Sequence, residues 1–187
     1  RVALGHRRLT VIDPSSRSRQ PMQDAELVLV FNGAIYNYLE LRKALRARGH
    51  TFASEGDSEV ILKAYREWGE ACPARLHGMF AFAIWDARQQ RLFAARDRFG
   101  IKPLYYAHDA RRFRFASNTQ ALLAGGGVDS AIDPVGLHFQ YTLHAVIPAP
   151  HTILQGVRKL EPAHSLSLTP DGRCSVRRYW DLDARRP

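Results

Sequence analysis

Residues 79–86, Met-Phe-Ala-Phe-Ala-Ile-Trp-Asp, are apolar in both registers that a strand can offer. Phe80, Phe82 and Ile84 share one face; Ala81, Ala83 and Trp85 share the other. A sheet that holds such a strand must be covered on both sides. The run Ala25–Phe31 makes the same demand. Residues 86–90 read as a turn into a return strand over 91–97, so the doubly buried strand belongs to an antiparallel pair.

Helical patterns supply the cover. From Tyr38, Leu41 and Leu45 fall one turn apart, with Gly49 as the residue just past the helix end. A second helix is capped by Asp57 or Ser58, carries the stripe Val60, Ile61, Ala64, Tyr65, Trp68, and stops at Gly69. Residues 1–13 read as an extended segment entering a loop, 15–24 as loop, and His50–Phe52 as a short strand. Beyond them come a hairpin over 103–117, a short helix over 118–127, and a helix with Asp133 as cap and Pro134 at its first position. A last hairpin turns at Pro170-Asp171-Gly172. Hairpins with helices between them imply an α+β layered architecture.

Gly125–Ala131, Gly-Gly-Gly-Val-Asp-Ser-Ala, imitates a phosphate loop. Such a loop follows a strand and opens a helix. Here the glycines follow a helical pattern, so they read as a helix terminator.

The net charge of +9 raises the question of nucleic acid. Only Lys43, Lys63, Lys102 and Lys159 of the 27 basic residues are lysine. The arginines are scattered, with no basic stripe and no stacking-aromatic motif. Compositional bias or an acidic partner domain accounts for the excess, and no nucleic-acid partner is expected. No apolar run approaches a membrane span, so no membrane association is expected. Two distant cysteines, Cys72 and Cys174, suggest a reducing cytoplasm and no zinc site.

Asn32-Gly33, where the first apolar run ends, reads as a tight turn. It also supplies two donors, a side-chain amide and a backbone N–H with no side chain to obstruct it. Hydrolysing an amide needs two such donors facing the developing oxyanion. A free amino acid also needs an arginine for its carboxylate and an acid for its ammonium. Arg8 and Asp57 are candidates for these roles. Each has a plainer account: Asn-Gly as a turn only, Asp57 as a helix cap, Arg8 as a surface charge.

The ordered blocks GHRRLTVID, FNGAIYNYLELR, EGDSEVILKAYREWG, LHGMFAFAIWD, RDRFGIKPLYY and FASNTQALLA resemble the glutaminase domain of asparagine synthetase. This is a class II glutamine amidotransferase of the N-terminal-nucleophile hydrolase family, and the resemblance runs from residue 1 to about Leu182. It implies a four-layer αββα sandwich whose first strands and helix are missing from this chain. It implies an amidotransferase domain over 1–150, with 151–187 as a final hairpin and a connection toward an absent ATP-dependent synthetase domain. Glutamine would be bound by Arg8, Val11, Asn32, Gly33, Ala34 and Asp57, with Asn32 and Gly33 as the oxyanion hole. The RDRFGIKPLYY block implies a mainly structural signature.

Two departures stand out. The family nucleophile is an N-terminal cysteine, whereas this chain begins with Arg1 and neither of its cysteines matches. It therefore reads as a truncated or nucleophile-less chain, expected to be inactive as it stands. The family motif usually has glutamate where Ala34 stands, which removes an acidic contact near the ammonium. The partners implied are L-glutamine and the synthetase domain of the same chain; a homodimer stays open. No cofactor is expected in this chain, with ATP and magnesium belonging to the synthetase domain. Aspartate is the default acceptor, acetylated glutaminylglutamine the second. A non-catalytic domain of a parent without the nucleophile is the remaining alternative.

Overall fold

The computed structural model of the chain describes residues 1–9 and 12–183. In chain order the elements are β1 (Met22–Asp24), β2 (Leu27–Ile35), α1 (Tyr38–Arg46), α2 (Asp57–Trp68), β3 (Gly78–Asp86), β4 (Arg91–Arg96), β5 (Tyr105–His108), β6 (Phe113–Ala116), α3 (Thr119–Ala124), α4 (Pro134–Thr142), β7 (Arg158–Lys159), β8 (His164–Leu168) and β9 (Cys174–Arg178). They fall into two compact units, residues 1–101 with 163–187, and residues 102–162.

The first unit holds an antiparallel six-stranded sheet in the order β1-β2-β3-β4-β8-β9. The alternation in the sequence sets its faces. Leu29, Phe31 and Ile35 of β2, Phe80, Phe82 and Ile84 of β3, and Phe93 of β4 meet Leu41 and Leu45 of α1 and Val60, Ile61, Ala64 and Tyr65 of α2 in one core. Tyr65 stacks on Phe93 with ring centroids 5.3 Å apart, and Phe93 contacts Phe82 at 6.1 Å. Aromatic contact thus runs from helix to central strands, and truncating one of these phenylalanines to alanine would cost about 3–5 kcal/mol. On the opposite face Val30, Ala81, Ala83, Leu92, Ala94 and Leu166 are also buried, as strands apolar on both sides require.

The helix ends follow their residues. Gly49, at φ +90°, closes α1. Its N–H donates to Arg46 O and that of His50 to Leu45 O, the paired bonds of a glycine-terminated helix. Asp97 is fully buried and accepts from the amides of Phe80, Phe99 and Ile101, which makes it a structural anchor of its loop.

The second unit carries the three-stranded sheet β6-β5-β7 with α3 and α4. Asn118 caps α3 through the Ala121 amide, and Asp133 caps α4 through the Val135 and Gly136 amides. The N–H groups of Gly125 and Gly126 are spent on the α3 carbonyls of Ala121 and Leu123. That is a helix terminator and not a phosphate cradle.

Three expectations fail. The cap residue of α2 is Gly56, with no side-chain cap bond, so neither Asp57 nor Ser58 caps that helix. His50–Phe52 forms no strand. Asn32-Gly33 is not a turn, because β2 runs through it to Ile35, pairing Asn32 with Ala81 and Gly33 with Phe80. Glycine is needed there for close approach. A Cβ on Gly33, at φ +147°, would lie 2.0 Å from the Met79 carbonyl oxygen. Gly78, at φ +156°, is its counterpart, where a Cβ would lie 2.2 Å from Ala34 O. Each strand needs a bare backbone opposite the other. Elements without a sequence signal are the 3₁₀ turns over Ser16–Ser18 and Gly69–Arg75, and the short β1 and β7.

Gly78→Ala is expected to destabilise the chain by about 2 kcal/mol or more, since both backbone conformation and space oppose it. Gly49→Ala, with open space around its Cβ, is expected to cost about 1 kcal/mol. Urea unfolding of the two variants compares them directly; equal losses would remove the close approach as the reason for Gly78.

Candidate functional site

The free edge of β2 builds the site. The Tyr36 N–H donates to His77 O at 2.7 Å, and the Ala87 N–H to Glu26 O at 2.9 Å. Hydrogen-bonded and non-bonded pairs alternate along an antiparallel ladder. These two bonds therefore make Asn32–Ala81 and Ala34–Met79 bonded pairs, and Gly33–Phe80 and Ile35–Gly78 non-bonded ones. Phe80 confirms this by bonding Asp97 on the other side. The amides of Phe31, Gly33 and Ile35 all point away from β3, to the edge along which β1 runs.

Each of the three has a different fate. The β1 register, Asp24 with Leu27 and Met22 with Leu29, would put Gln20 opposite Phe31 and Ser18 opposite Gly33. Gln20 fills its place with its side chain: Nε2 donates to Phe31 O at 3.0 Å, and the Phe31 N–H donates to Oε1 at 2.6 Å. Ser18 lies instead in the 3₁₀ turn, its hydroxyl donating to Asp13 at 2.7 Å. The Ile35 N–H donates to Asp57 Oδ2 at 3.0 Å. Between them the exposed Gly33 N–H has no acceptor among the described residues. The neighbouring Asn32 amide, half-buried on the sheet face away from α1 and α2, is also unpartnered among them.

Asp57 sits at the start of α2 and is 5% exposed. Burial pushes its carboxyl pKa up, opposed by hydrogen bonds from the amides of Ile35, Asp57 and Ser58 and by the charge of Arg8. The loop that delivers it is held from three sides. Arg42 of α1, itself buried, donates from Nη1 to Ser54 O at 2.6 Å and from Nη2 to Gly56 O at 2.8 Å, and lies 4.5 Å over the Phe52 ring. Glu59 of α2 accepts from the Ala53 and Ser54 amides and the Ser54 hydroxyl. Asp13 accepts from the Glu55 amide at 2.8 Å.

Asp13 also ties this loop to the N-terminal segment. Hydrogen bonds from the Ser15 and Ser18 hydroxyls and from the Glu55 and Ser15 amides hold its carboxyl well below the usual range. Arg8 donates from Nη2 to Ile12 O at 2.7 Å and to Asp13 O at 2.6 Å, and its charge is felt at Asp57. The structure thus gathers Arg8, Asp57 and the Gly33–Ile35 edge. Val11 lies outside the described residues. Ala34 is half-buried on the same sheet face as Asn32.

The two cysteines are elsewhere. Cys72 is fully buried, and burial pushes its thiol pKa up. Cys174 lies on β9, four strands from β2 and so about 19 Å away at the usual strand spacing. Neither can attack a substrate at Gly33. The sequence did not reveal Gln20, Asp13, Arg42 or Glu59.

The fold is that of solved amidotransferases. It matches a glutamine phosphoribosylpyrophosphate amidotransferase from B. subtilis with TM-score 0.61, at 20% identity over 89% of this chain and 33% of that one. It matches a glutamine aminotransferase class-II domain protein from Silicibacter pomeroyi with TM-score 0.56, at 17% identity over 90% and 74%. The family model of the glutamine amidotransferase domain covers residues 1–180, and the chain belongs to that family. It is 39% identical to asparagine synthetase [glutamine-hydrolyzing] 3 of Bacillus subtilis over 99% of this chain, and 40% identical to asparagine synthetase [glutamine-hydrolyzing] 1 of the same organism over 96%. The chain spans 30% and 28% of those proteins.

Asp57→Asn keeps an acceptor for the Ile35 amide and removes the buried charge. Because burial raises the Asp57 pKa, the folded state holds its proton to higher pH than the unfolded chain does. Wild-type stability is therefore expected to fall relative to the variant as pH rises from about 4, the ordinary carboxylate value, through the raised one. Urea unfolding at pH 4 and pH 7 measures this; a wild type that gained on the variant would mean that the amides and Arg8 outweigh burial.

Proposed function

We propose that this domain hydrolyses L-glutamine to glutamate and ammonia. A synthetase domain of the same protein would use the ammonia, with ATP and magnesium, to amidate an acceptor carboxylate, aspartate by default. The observation that carries the reading is the open Gly33 N–H beside Asn32, on a strand whose flanking outward amides are both occupied. Asn32 and Gly33 donate to the oxyanion, each worth about 3 kcal/mol in the transition state. Arg8 takes the glutamine carboxylate, and the resemblance to the family gives Val11, outside the described residues, a backbone contact to glutamine. Asp57 takes the ammonium, alone because residue 34 is alanine. Arg8 keeps its backbone bonds to Ile12 and Asp13 while it does so, since a guanidinium carries five N–H donors.

The thiol in this reading is a cysteine N-terminal to Arg1 in the native protein, because Cys72 and Cys174 are out of reach. Its α-amino group serves as the base. The reading places the reaction in a reducing cytoplasm, where both cysteines of the chain stay free.

The native protein's N-terminal sequence is the first test, with a processed cysteine expected; any other residue there leaves a domain that binds glutamine without turning it over. In the intact enzyme, Arg8→Ala is expected to raise the KM for glutamine by about tenfold or more, the loss of a charged hydrogen bond. An unchanged KM would take Arg8 out of the site.

A further inference from the structure

The β1–β2 hairpin poses a problem that the amidotransferase reading alone does not answer. The Gly33 N–H is available only because the ladder stops one place short of it. An edge amide left open invites the strand to fray, or to pair with whatever backbone comes near. Something must end β1 at a defined place and still hold β2 in strand geometry up to Gly33.

Gln20 has the chemistry for this. A primary amide offers one donor and one acceptor in the same plane, the pair that a strand residue presents to its neighbour. Its two bonds to Phe31 occupy the ladder position that backbone pairing in the β1 register would fill. The chain upstream is then free to leave the sheet. Pro21 falls opposite Val30, in a non-bonded position where a missing N–H costs nothing. Ser18 is carried off to Asp13, and no described residue accepts from the Gly33 N–H.

We propose that Gln20 is a positioning residue for the Gly33 oxyanion donor, its side-chain amide serving as the last rung of the β1–β2 ladder. The inference rests on the glutaminase reading for its catalytic consequence but not for its structural one. Gln20 touches no substrate. It fixes the Phe31–Asn32 peptide, the neighbour of the Asn32–Gly33 peptide that carries the open N–H and that the Asn32–Ala81 pair holds on the other edge. Asp57 holds the other side through Ile35, so the open amide is anchored on both flanks.

Amide hydrogen exchange of the whole chain tests the structural half. Phe31 and Ile35 are expected to be protected, with Gly33 exchanging at least about tenfold faster than either. In Gln20→Ala the protection of Phe31 is lost, while Ile35 keeps its own. Gln20→Glu is the second variant, serving also if the alanine variant fails to fold. Its protonated carboxyl reproduces donor and acceptor, whereas its carboxylate keeps the acceptor for the Phe31 N–H but sets a bare oxygen against Phe31 O, so Phe31 is expected to be better protected at acidic pH than after the group ionises.

Glutamine hydrolysis by the intact protein tests the catalytic half. Gln20→Ala is expected to lower kcat by about 10- to 100-fold, with the KM for glutamine within about twofold, as a misaimed oxyanion donor requires. A Phe31 amide equally protected in Gln20→Ala overturns the proposal, as does a rise in KM at unchanged kcat. A wild type that hydrolyses no glutamine would sink the glutaminase reading, while the exchange results would still decide what Gln20 does.

Discussion

A strand paired on one side has to dispose of every second amide on its other edge. Buried amides without partners cost more than hydrogen bonds contribute, so their disposal shapes whatever lies beside them. On β2 the count among the described residues is short: Leu27 and Leu29 go to β1, Phe31 to a glutamine side chain, Ile35 to an aspartate, and Gly33 has no acceptor. The aspartate is there because α2 starts there. The glutamine is there because β1 is only three residues long. The exposed position falls to the one residue whose backbone is unobstructed. Much of the site is therefore an outcome of backbone hydrogen bonding, settled before any substrate is considered.

The loop from Ala53 to Asp57 shows the same economy with side chains as partners. The Ser54 and Gly56 carbonyls go to one buried guanidinium, and the Ala53, Ser54 and Glu55 amides to two carboxylates, Glu59 and Asp13. The fork of Arg42 spans Ser54 and Gly56, so two bonds form for one ordered side chain. Its ion pair with Glu55, at 3.5 Å and with that partner 80% exposed, adds little. Five backbone groups of the loop are thus held by three side chains. Gly56 is part of the arrangement, since a Cβ there would meet the Ser18 hydroxyl at 2.6 Å. The N-terminal segment and the α2 entry are locked face to face, which is how Arg8 comes to lie within electrostatic reach of Asp57.

Period-two alternation in β2 and β3 announced a sheet buried on both faces, and the stripes of α1 and α2 named the residues that cover one of them. These features are local and repeat, so a single sequence carries them. The resemblance to the amidotransferases then supplied Arg8, Asn32, Gly33 and Asp57, which spacing alone left as one reading among several. Asn-Gly was misread as a turn, because the demand on Gly33 comes from Met79, 46 positions along the chain, and no local pattern encodes it. Gln20 and Arg42 escaped for the same reason. A polar residue on a loop or beside an apolar stripe looks solvated until the partner backbone, 11 or 12 residues away, is in place.

Asp57 shows why a site of this kind is costly to keep empty. Its carboxyl is buried, it already serves the Ile35 amide, and burial still wins over its partners in setting its pKa. A carboxylate in that position lacks a counter-charge close enough to balance its desolvation. The guanidinium of Arg8 lowers the cost without removing it. In the proposed reaction the missing charge is the ammonium of glutamine, and binding it would draw the Asp57 pKa back down. Substrate binding and ionisation of Asp57 would then be one linked event, with the substrate supplying what the fold withholds. Alanine at position 34 sharpens that linkage, because no second carboxylate shares the cation.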